Sequence, residues 1–412
     1  MRRGLILALL ALAGCGRSDP TPAAAPASAA PTSAAPASAA PTSAAPTSAA
    51  PASAATLARP ALTLTAPAAI RPGIRADLPP SDRVFTAALD PTAGADHLLG
   101  ARGDQLWAAL PTADGRWDVR WVVQGPGAVA QRVALVDLGA GPRLYVAWGV
   151  GRGFLQAPLV LQAHDPATGA ATEVWRNEGQ RNEAADLGVA DVDGDGRRDL
   201  AFAWFTSKYM VRTRHLTAAG GVVEGPEIRM ATSHAFGDLD ADGKPDAIVG
   251  RVYGDAKGEP GDLTVYFGGG EVVKVPVEQG VKALAVGRIG DDPRDTLYVS
   301  DGWVADYGKS ARARLSRVTF TGRTPKVDLV ATSADEFTFF DLEAVAFGPD
   351  GKRELVARGE KRVSRITPGT PWTLQPLAGL QPVLNTAIGR RPGGGWQVYV
   401  PAEPQTRAIP VP

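Results

Sequence analysis

Two short segments of the sequence concentrate carboxylates at the spacing of a calcium-binding loop. Residues 191–199 read Asp-Val-Asp-Gly-Asp-Gly-Arg-Arg-Asp, and residues 238–246 read Asp-Leu-Asp-Ala-Asp-Gly-Lys-Pro-Asp. Both segments place carboxylates at positions 1, 3, 5 and 9 and glycine at position 6. Ca²⁺ takes six to eight oxygen ligands at about 2.3–2.6 Å, from carboxylates, carbonyls and water. The pattern therefore predicts one structural Ca²⁺ site in each segment.

The predicted ligands are the four carboxylates of each segment and the backbone carbonyl of its seventh residue. They are Asp191, Asp193, Asp195, Arg197 and Asp199 in the first segment, and Asp238, Asp240, Asp242, Lys244 and Asp246 in the second. Gly196 and Gly243 permit the positive φ of a sharp turn. Four carboxylates within nine residues repel one another unless a cation neutralises them. A solvated acidic turn is the alternative.

An EF-hand does not fit either segment. Its loop needs a Glu at position 12, where this chain has Phe202 and Val249. It also needs flanking helices, whereas the flanking residues read as strands; residues 200–204, directly after the first segment, show the two-residue alternation of a strand. The carboxylates are therefore expected in turns between strands.

The elements that would position these turns belong to a repeat. A short apolar strand, a Gly/Asp turn and an alternating strand recur seven times between residues 59 and 412. Seven residues anchor the second strand of each copy and lie 50 positions apart on average: Leu98, Leu144, Leu200, Ala247, Leu297, Leu355 and Val398. Units of this size with several short strands are typical of propeller blades. The sequence predicts an all-β, seven-bladed β-propeller over residues 59–412.

The last repeat has room for only three strands, near 385–388, 396–400 and 406–411. We expect the N-terminal segment Leu62–Thr65 to supply the fourth strand, because closing the ring in this way removes an exposed sheet edge.

The aspartate segments within this repeat resemble the FG-GAP/VCBS repeat, the calcium-loop propeller module of integrin α-subunit heads and many bacterial surface proteins. Phe236 and Gly237, just before the second segment, fit the family's name. The resemblance covers about 350 residues in its period, but only blades three and four carry the full motif. It implies structural Ca²⁺ in the hairpin between the first two strands of a blade.

Two further blades depart from the family pattern. Blade five places Gly287, Ile289, Asp291 and Asp295 at the four carboxylate positions, and blade six places Ala346, Gly348, Asp350 and Glu354 there. Each has lost two carboxylates, so two Ca²⁺ sites are expected in all.

The N-terminus has the pattern of a bacterial export signal. Arg2 and Arg3 precede nine apolar residues, Leu5–Ala13, too few to span a bilayer that needs about 20. Leu-Ala-Gly-Cys at 12–15 resembles the lipobox of bacterial lipoproteins. This resemblance implies a signal peptide over 1–14 and a lipid on Cys15 that anchors the protein in the membrane. An ordinary secretory signal with a chance cysteine is the alternative. Gly16, in place of Asp, favours the outer membrane or cell surface within the envelope.

Residues 15–58 form a low-complexity linker after the signal. Between Pro20 and Ala58 there is no charged residue, and Pro-(Ala/Thr)-Ser-Ala-Ala repeats six times from Pro26. Proline every five residues blocks a continuous helix, and nothing is large enough to build a core. We expect a disordered Pro/Ala/Ser/Thr spacer that holds the propeller away from the membrane.

Composition excludes several function classes. The 43 basic residues equal the 43 acidic ones, which argues against a nucleic-acid partner. One cysteine excludes an internal disulfide and a cysteine-based zinc cluster. The four histidines show no metalloprotease spacing, and no nucleotide loop or nucleophile elbow is present. No catalytic residue is predicted.

A binding rim is expected on the propeller face opposite the aspartate turns, because several long loops leave the second strands there. The rim candidates are Tyr209, Arg251, Tyr253, Trp303, Asp306 and Tyr307. Aromatic residues of this kind suit sugar stacking or protein contacts, or they simply pack between blades.

The expected function is a calcium-stabilised binding or scaffold module for a protein or glycan of the cell envelope. An envelope hydrolase, lyase or oxidoreductase with its site in the propeller funnel is the alternative. A structural assembly factor is the third class. An acidic or histidine cluster in the funnel would favour the enzyme.

Overall fold

The computed structural model describes residues 70–149, 159–177, 184–207, 210–255, 259–268, 270–278, 280–301, 313–333, 338–347, 352–359, 361–379, 386–401 and 405–411. All of them belong to one compact unit. The predicted signal peptide, Cys15, the linker and Leu62–Thr65 lie outside the described residues.

The described residues form seven antiparallel sheets in chain order, as the repeat predicts. Blade one has β1 (Gly73–Arg75), β2 (Arg83–Ala87), β3 (His97–Arg102), β4 (Gln105–Pro111) and β5 (Trp117–Gln124), with a 3-10 turn at Pro91–Ala93. Blade two has β6 (Val129–Asp137), β7 (Pro142–Gly149), β8 (Leu159–His164) and β9 (Ala171–Asn177). Blade three has β10 (Ala184–Ala190), β11 (Asp199–Phe205), β12 (Met210–Leu216) and β13 (Val222–Arg229). Blade four has β14 (Ala231–Gly237), β15 (Asp246–Arg251), β16 (Leu263–Tyr266) and β17 (Val272–Val275).

The remaining three sheets follow the same order. Blade five has β18 (Ala283–Gly287), β19 (Thr296–Ser300), β20 (Arg314–Thr321) and β21 (Thr324–Thr332). Blade six has β22 (Phe339–Val345), β23 (Glu354–Gly359), β24 (Arg362–Thr367) and β25 (Thr373–Gly379). Blade seven has β26 (Ala387–Arg390), β27 (Trp396–Val400) and β28 (Arg407–Val411). The protein is a seven-bladed β-propeller.

The first strand of each blade lies toward the central channel. Strand β2 contacts both β6 and β26, and β14 contacts both β10 and β18, so the first strands follow one another around the centre. Each second strand pairs with the first, and the third and fourth strands continue outward. The hairpins between first and second strands therefore sit at one end of the channel.

The core lies between neighbouring blades. Strand β11 shows why the predicted two-residue alternation does not persist: all seven of its residues are buried. A second strand is covered on both faces by adjacent blades, so it has no solvent side. Large aromatic side chains fill these interfaces, among them the fully buried Trp107, Trp148 and Tyr298.

Blades one and seven meet through polar contacts. Thr86 Oγ1 donates to the Ile388 carbonyl at 2.7 Å, and Arg390 pairs with Asp96 at 3.0 Å. Thr406 Oγ1 donates to the Pro79 carbonyl at 2.8 Å. The three predicted strands of blade seven are present. Strand β1 pairs with the outer strand β5 of blade one, and the predicted fourth strand of blade seven, Leu62–Thr65, lies outside the described residues.

Candidate functional site

Loop one (Asp191–Asp199) lies in the hairpin between β10 and β11. Strand pairing ends at Ala190 and Asp199, so the aspartates fall in the turn between a first and a second strand. Gly194 and Gly196 have φ of 75° and 84°, the left-handed conformation that the turn needs. The prediction for Gly196 is confirmed.

Three carboxylates of loop one converge. Asp191, Asp193 and Asp195 each offer an oxygen, and these oxygens lie within 4.8 Å of one another. Backbone amides hold the side chains: Gly194 N and Gly196 N donate to the two oxygens of Asp191 at 2.7 and 2.9 Å. Burial and the neighbouring carboxylates raise the pKa of Asp193. The turn thus holds three like charges together.

Asp199 lies outside this trio and supports the hairpin. Its side chain is fully buried, with Oδ2 accepting from Val192 N at 2.8 Å and Oδ1 from Ala218 N at 2.7 Å. A carboxylate bonded to amides at both oxygens fixes the two ends of the turn. The ninth position therefore positions loop one.

Loop two (Asp238–Asp246) repeats this design in blade four. Asp246 is buried, and its oxygens accept from Leu239 N at 2.7 Å and Gly268 N at 3.0 Å. Burial raises the pKa of Asp246 to about 6. Gly243 has φ of 77°, as predicted, but Ala241 also takes a positive φ of 61° where loop one has Gly194.

The converging trio differs in loop two. Oxygens of Asp238, Asp240 and Asp246 lie within 4.8 Å of one another, and Asp242 is outside the set. Asp242 instead lies 3.6 Å from Lys244 Nζ. The predicted ligand sets are thus only partly assembled in each loop.

An arginine side chain from blade five contacts loop two. Arg323, between β20 and β21, donates from Nε to Asp240 at 3.0 Å and lies 3.8 Å from Asp242. The Asp240 side chain is only 6% exposed. The guanidinium also lies 5.2 Å from the centre of the Phe267 ring. Loop two is therefore partly neutralised within the protein, and the sequence motif gave no sign of it.

Hard oxygen donors at this spacing fit Ca²⁺. Two ligand oxygens on one Ca²⁺ lie at most about 5 Å apart, twice the metal–oxygen distance. Both trios meet this limit, and among the described residues only these two groups of acids do. In blade six, by contrast, Arg365 and Thr367 donate to Glu354 at the ninth position. In blade five, Asp291 pairs with Lys352.

Most of the predicted rim lies outside the described residues, namely Tyr209, Trp303, Asp306 and Tyr307. Arg251 is described and is engaged within blade four, with Nη2 2.6 Å from Asp255 and Nη1 3.4 Å from Asp262. Tyr253 forms a strand bridge with Pro260 in the same blade. Both described members of the rim take part in the structure of their own blade.

A second polar group, not predicted from the sequence, lies where blades three and four meet. Asp186 on β10, His234 on β14 and His215 on β12 line a cavity of about 200 Å³. A register shift between Ala184 and Asp186 marks a β-bulge at this point, a feature that re-aims side chains. Phe202, Phe236 and Leu284 contribute apolar surface to the same cavity.

The ionisation of this group is shifted by its surroundings. Burial lowers the pKa of His215 and of His234 to about 4 and raises the pKa of Asp186 to about 6. His234 Nδ1 lies 3.9 Å from Asp186 Oδ2, too far for a hydrogen bond. Among the described residues, neither ring nitrogen of His234 has a hydrogen-bond partner. Both imidazoles are neutral at pH 7.

Comparison with known proteins adds little to this picture. No protein-family model matches the chain, and no curated protein matches its sequence. Among solved structures, the chain is similar to Sqt1 of Saccharomyces cerevisiae, with a TM-score of 0.46, 10% identity, and coverage of 82% of this chain and 97% of that one. So distant a likeness carries no argument, and the fold assignment rests on the seven sheets.

One further observation concerns membranes. No helix in the described part of the chain has both the length and the apolar character needed to cross one.

Proposed function

We propose that the protein is a lipoprotein of the bacterial cell envelope whose FG-GAP/VCBS-like propeller, stabilised by Ca²⁺, binds a glycan or protein. The observation that supports this most is the pair of carboxylate trios in the same hairpin of two neighbouring blades. Ca²⁺ would supply the positive charge that lets each turn hold its acids together. The loops would then keep one end of the channel rigid.

Each residue of these loops has a distinct part in the proposal. Asp191, Asp193 and Asp195 would hold the ion in loop one, and Asp238, Asp240 and Asp246 in loop two. Asp199 would orient its hairpin through its amide bonds. Asp242 and the carbonyls of Arg197 and Lys244 remain predicted ligands.

The lipid anchor is the second part of the proposal and rests on the sequence alone. Cys15 follows an export signal and precedes the spacer, so a lipid there would tether the propeller to the membrane. Radiolabelled palmitate should enter the wild-type chain and not Cys15→Ser. Equal labelling of both chains would contradict the anchor.

Binding is tested with the purified protein on an array of bacterial glycans and by cross-linking in the envelope. We expect a defined set of glycans or one envelope protein to be retained with Ca²⁺ and released by EGTA. Retention of no glycan or protein under either condition would count against a binding module.

The cavity lined by Asp186, His215 and His234 supports one alternative function, an envelope enzyme. Asp186 and His234 are a carboxylate and an imidazole with shifted pKa values in one cavity, the type of pair used in acid–base catalysis. The test is turnover of envelope polysaccharides by the wild type and by Asp186→Asn. Turnover lost in the variant would support the enzyme, whereas no turnover by the wild type would remove this candidate.

A further inference from the structure

A separate pocket opens at the hairpin end of the channel. Its lining residues lie at the ends of first strands and the starts of second strands in blades one, three, six and seven. The charged members and one aromatic are Asp96, Arg198, Glu343, Arg353, Arg390 and Trp396. The pocket has a volume of about 520 Å³, within the range of roughly 300–1,000 Å³ common for small-molecule sites.

The charges of this pocket do not cancel. Asp96 is bonded to Arg390 through a side-chain pair at 3.0 Å and accepts from its backbone amide at 2.8 Å. Glu343 shares the guanidinium of Arg358, on β23, with Asp341. Arg198 and Arg353 are exposed and have no ion pair or side-chain hydrogen bond to any described residue. Two guanidinium groups without a carboxylate partner therefore line one concave site, and this group of charges carries an excess of one positive charge.

The remainder of the wall is apolar except for Thr86, whose hydroxyl donates to the Ile388 carbonyl. Trp396 is half-buried and packs edge-on against Phe347 with ring centres 5.4 Å apart, which fixes the indole. Ile388 and Val345 lie beside it in the lining. Arginines pair with carboxylates through two parallel hydrogen bonds, and an indole packs well on the apolar face of a sugar ring.

We propose that this pocket binds a saccharide bearing a carboxylate, such as a uronic acid residue. Arg198 and Arg353 would take the carboxylate, and Trp396 would cover the ring. This inference rests on the proposed binding function and names the class of glycan. An acidic peptide would use the arginines but gain little from the indole, so the saccharide is the better match.

The position of Arg198 links the pocket to loop one. Arg198 directly precedes Asp199, whose two amide bonds fix the hairpin. A change in the conformation of loop one would therefore move the guanidinium group of Arg198. Binding of the saccharide is expected to weaken when Ca²⁺ is removed.

The test is titration calorimetry of the full-length protein in detergent and Ca²⁺, with digalacturonate as the probe and neutral galactobiose for comparison. Arg198→Gln and Arg353→Gln should each weaken digalacturonate binding by about 10- to 100-fold, the effect of losing a hydrogen bond to a charged group. Both side chains are exposed, so neither change should unfold the blade. Arg75→Gln, on an exposed arginine of β1 outside the pocket, is the matched control and should bind as the wild type does.

The outcomes separate this proposal from the broader one. Equal affinity for digalacturonate and galactobiose, or unchanged binding in both arginine variants, would overturn it. Tighter binding of oligoglutamate than of digalacturonate would overturn it in favour of a peptide partner. Inorganic phosphate that binds as tightly as digalacturonate would overturn it in favour of a simple anion site. If neutral glycans bind with Ca²⁺ and digalacturonate does not bind, the proposed function stands and this pocket assignment fails.

Discussion

At the scale of single residues, burial controls the charge of the side chains that line the cavity where blades three and four meet. His215 and His234 have low pKa values because the imidazolium would lose its hydration among Phe202, Phe236 and Leu284. His234 lies in β14. The sequence did not predict that His234, His215 and Asp186 share one cavity, because three strands from two blades bring them together.

The lowered pKa of His215 predicts a pH effect on stability. Below pH 6.5 the unfolded chain takes up a proton that the folded chain excludes until pH falls to about 4. Stability from this residue therefore falls as pH drops through that window. Between pH 7 and pH 4, the free energy of unfolding of His215→Phe should fall by roughly 3 kcal/mol less than that of the wild type, because one pKa unit is about 1.4 kcal/mol. Urea unfolding at both pH values measures this difference.

Asp186 acts in the opposite direction and serves as the control. Its pKa is raised to about 6, so the folded chain holds a proton that the unfolded chain lacks between about pH 6 and pH 3.8. Asp186→Asn should steepen the loss of stability on acidification while His215→Phe flattens it. Parallel pH profiles for the wild type and both variants would contradict the shifted pKa values.

At the scale of elements, the two loops occupy the same hairpin of their blades but differ in backbone strain, at Ala241, and in charge, at Arg323. The spacing of aspartates and glycines was sufficient to place both loops in hairpins between first and second strands. It could not predict that Asp246 converges with its trio while Asp199, bonded to two amides in the same way, does not, because both loops have the same aspartate spacing. The contact of Arg323 with loop two arises from blade packing and has no local sequence signal.

Arg323 is predicted to weaken Ca²⁺ binding at loop two. Its guanidinium pairs with Asp240 and Glu271, so a metal ion there competes with a fixed positive charge. Arg323→Gln should tighten Ca²⁺ binding at one of two sites by about five- to tenfold, the effect of removing one partly screened charge. Titration calorimetry measures this, with Arg120→Gln in blade one as a control. Unchanged or weaker binding in Arg323→Gln would show that Arg323 does not compete.

Strain at Ala241 gives a second prediction for loop two. A positive φ costs a non-glycine residue about 1–2 kcal/mol, part of which is recovered as lower entropy of the unfolded chain. Ala241→Gly should therefore raise the free energy of unfolding by about 0.5–1 kcal/mol. The matched change in loop one, Gly194→Ala, should lower it, because the new Cβ would meet Pro245 Cδ at 3.2 Å. A lower midpoint of urea unfolding for Ala241→Gly would count against this explanation.

At the scale of the whole molecule, the repeat period predicted the ring of seven blades. The anchors of the second strands fall in β3, β7, β11, β15, β19, β23 and β27, so the period alone located every sheet. Closure of the ring was harder to predict. The contacts between blades one and seven join residues about 300 positions apart, such as Thr86 with Ile388, and no repeat pattern encodes them.

The polar contacts at this junction should contribute to stability. Thr86→Val removes the donor to the Ile388 carbonyl at nearly constant volume and should cost about 1–3 kcal/mol, because that acceptor becomes unsatisfied. Thermal unfolding measures the loss, with Thr92→Val in the exposed 3-10 turn as the control. Equal melting temperatures for the two variants would show that the ring does not depend on this contact.

The most direct test of the central claim is thermal unfolding of the full-length protein in Ca²⁺ and in EGTA. The wild type should melt several degrees higher in Ca²⁺, because a ligand at 100 times its dissociation constant adds about 2.7 kcal/mol per site. A variant carrying Asp191→Asn, Asp193→Asn, Asp238→Asn and Asp240→Asn should melt at one temperature in both solutions. A wild type whose melting temperature is the same with Ca²⁺ and with EGTA would contradict a calcium-stabilised propeller.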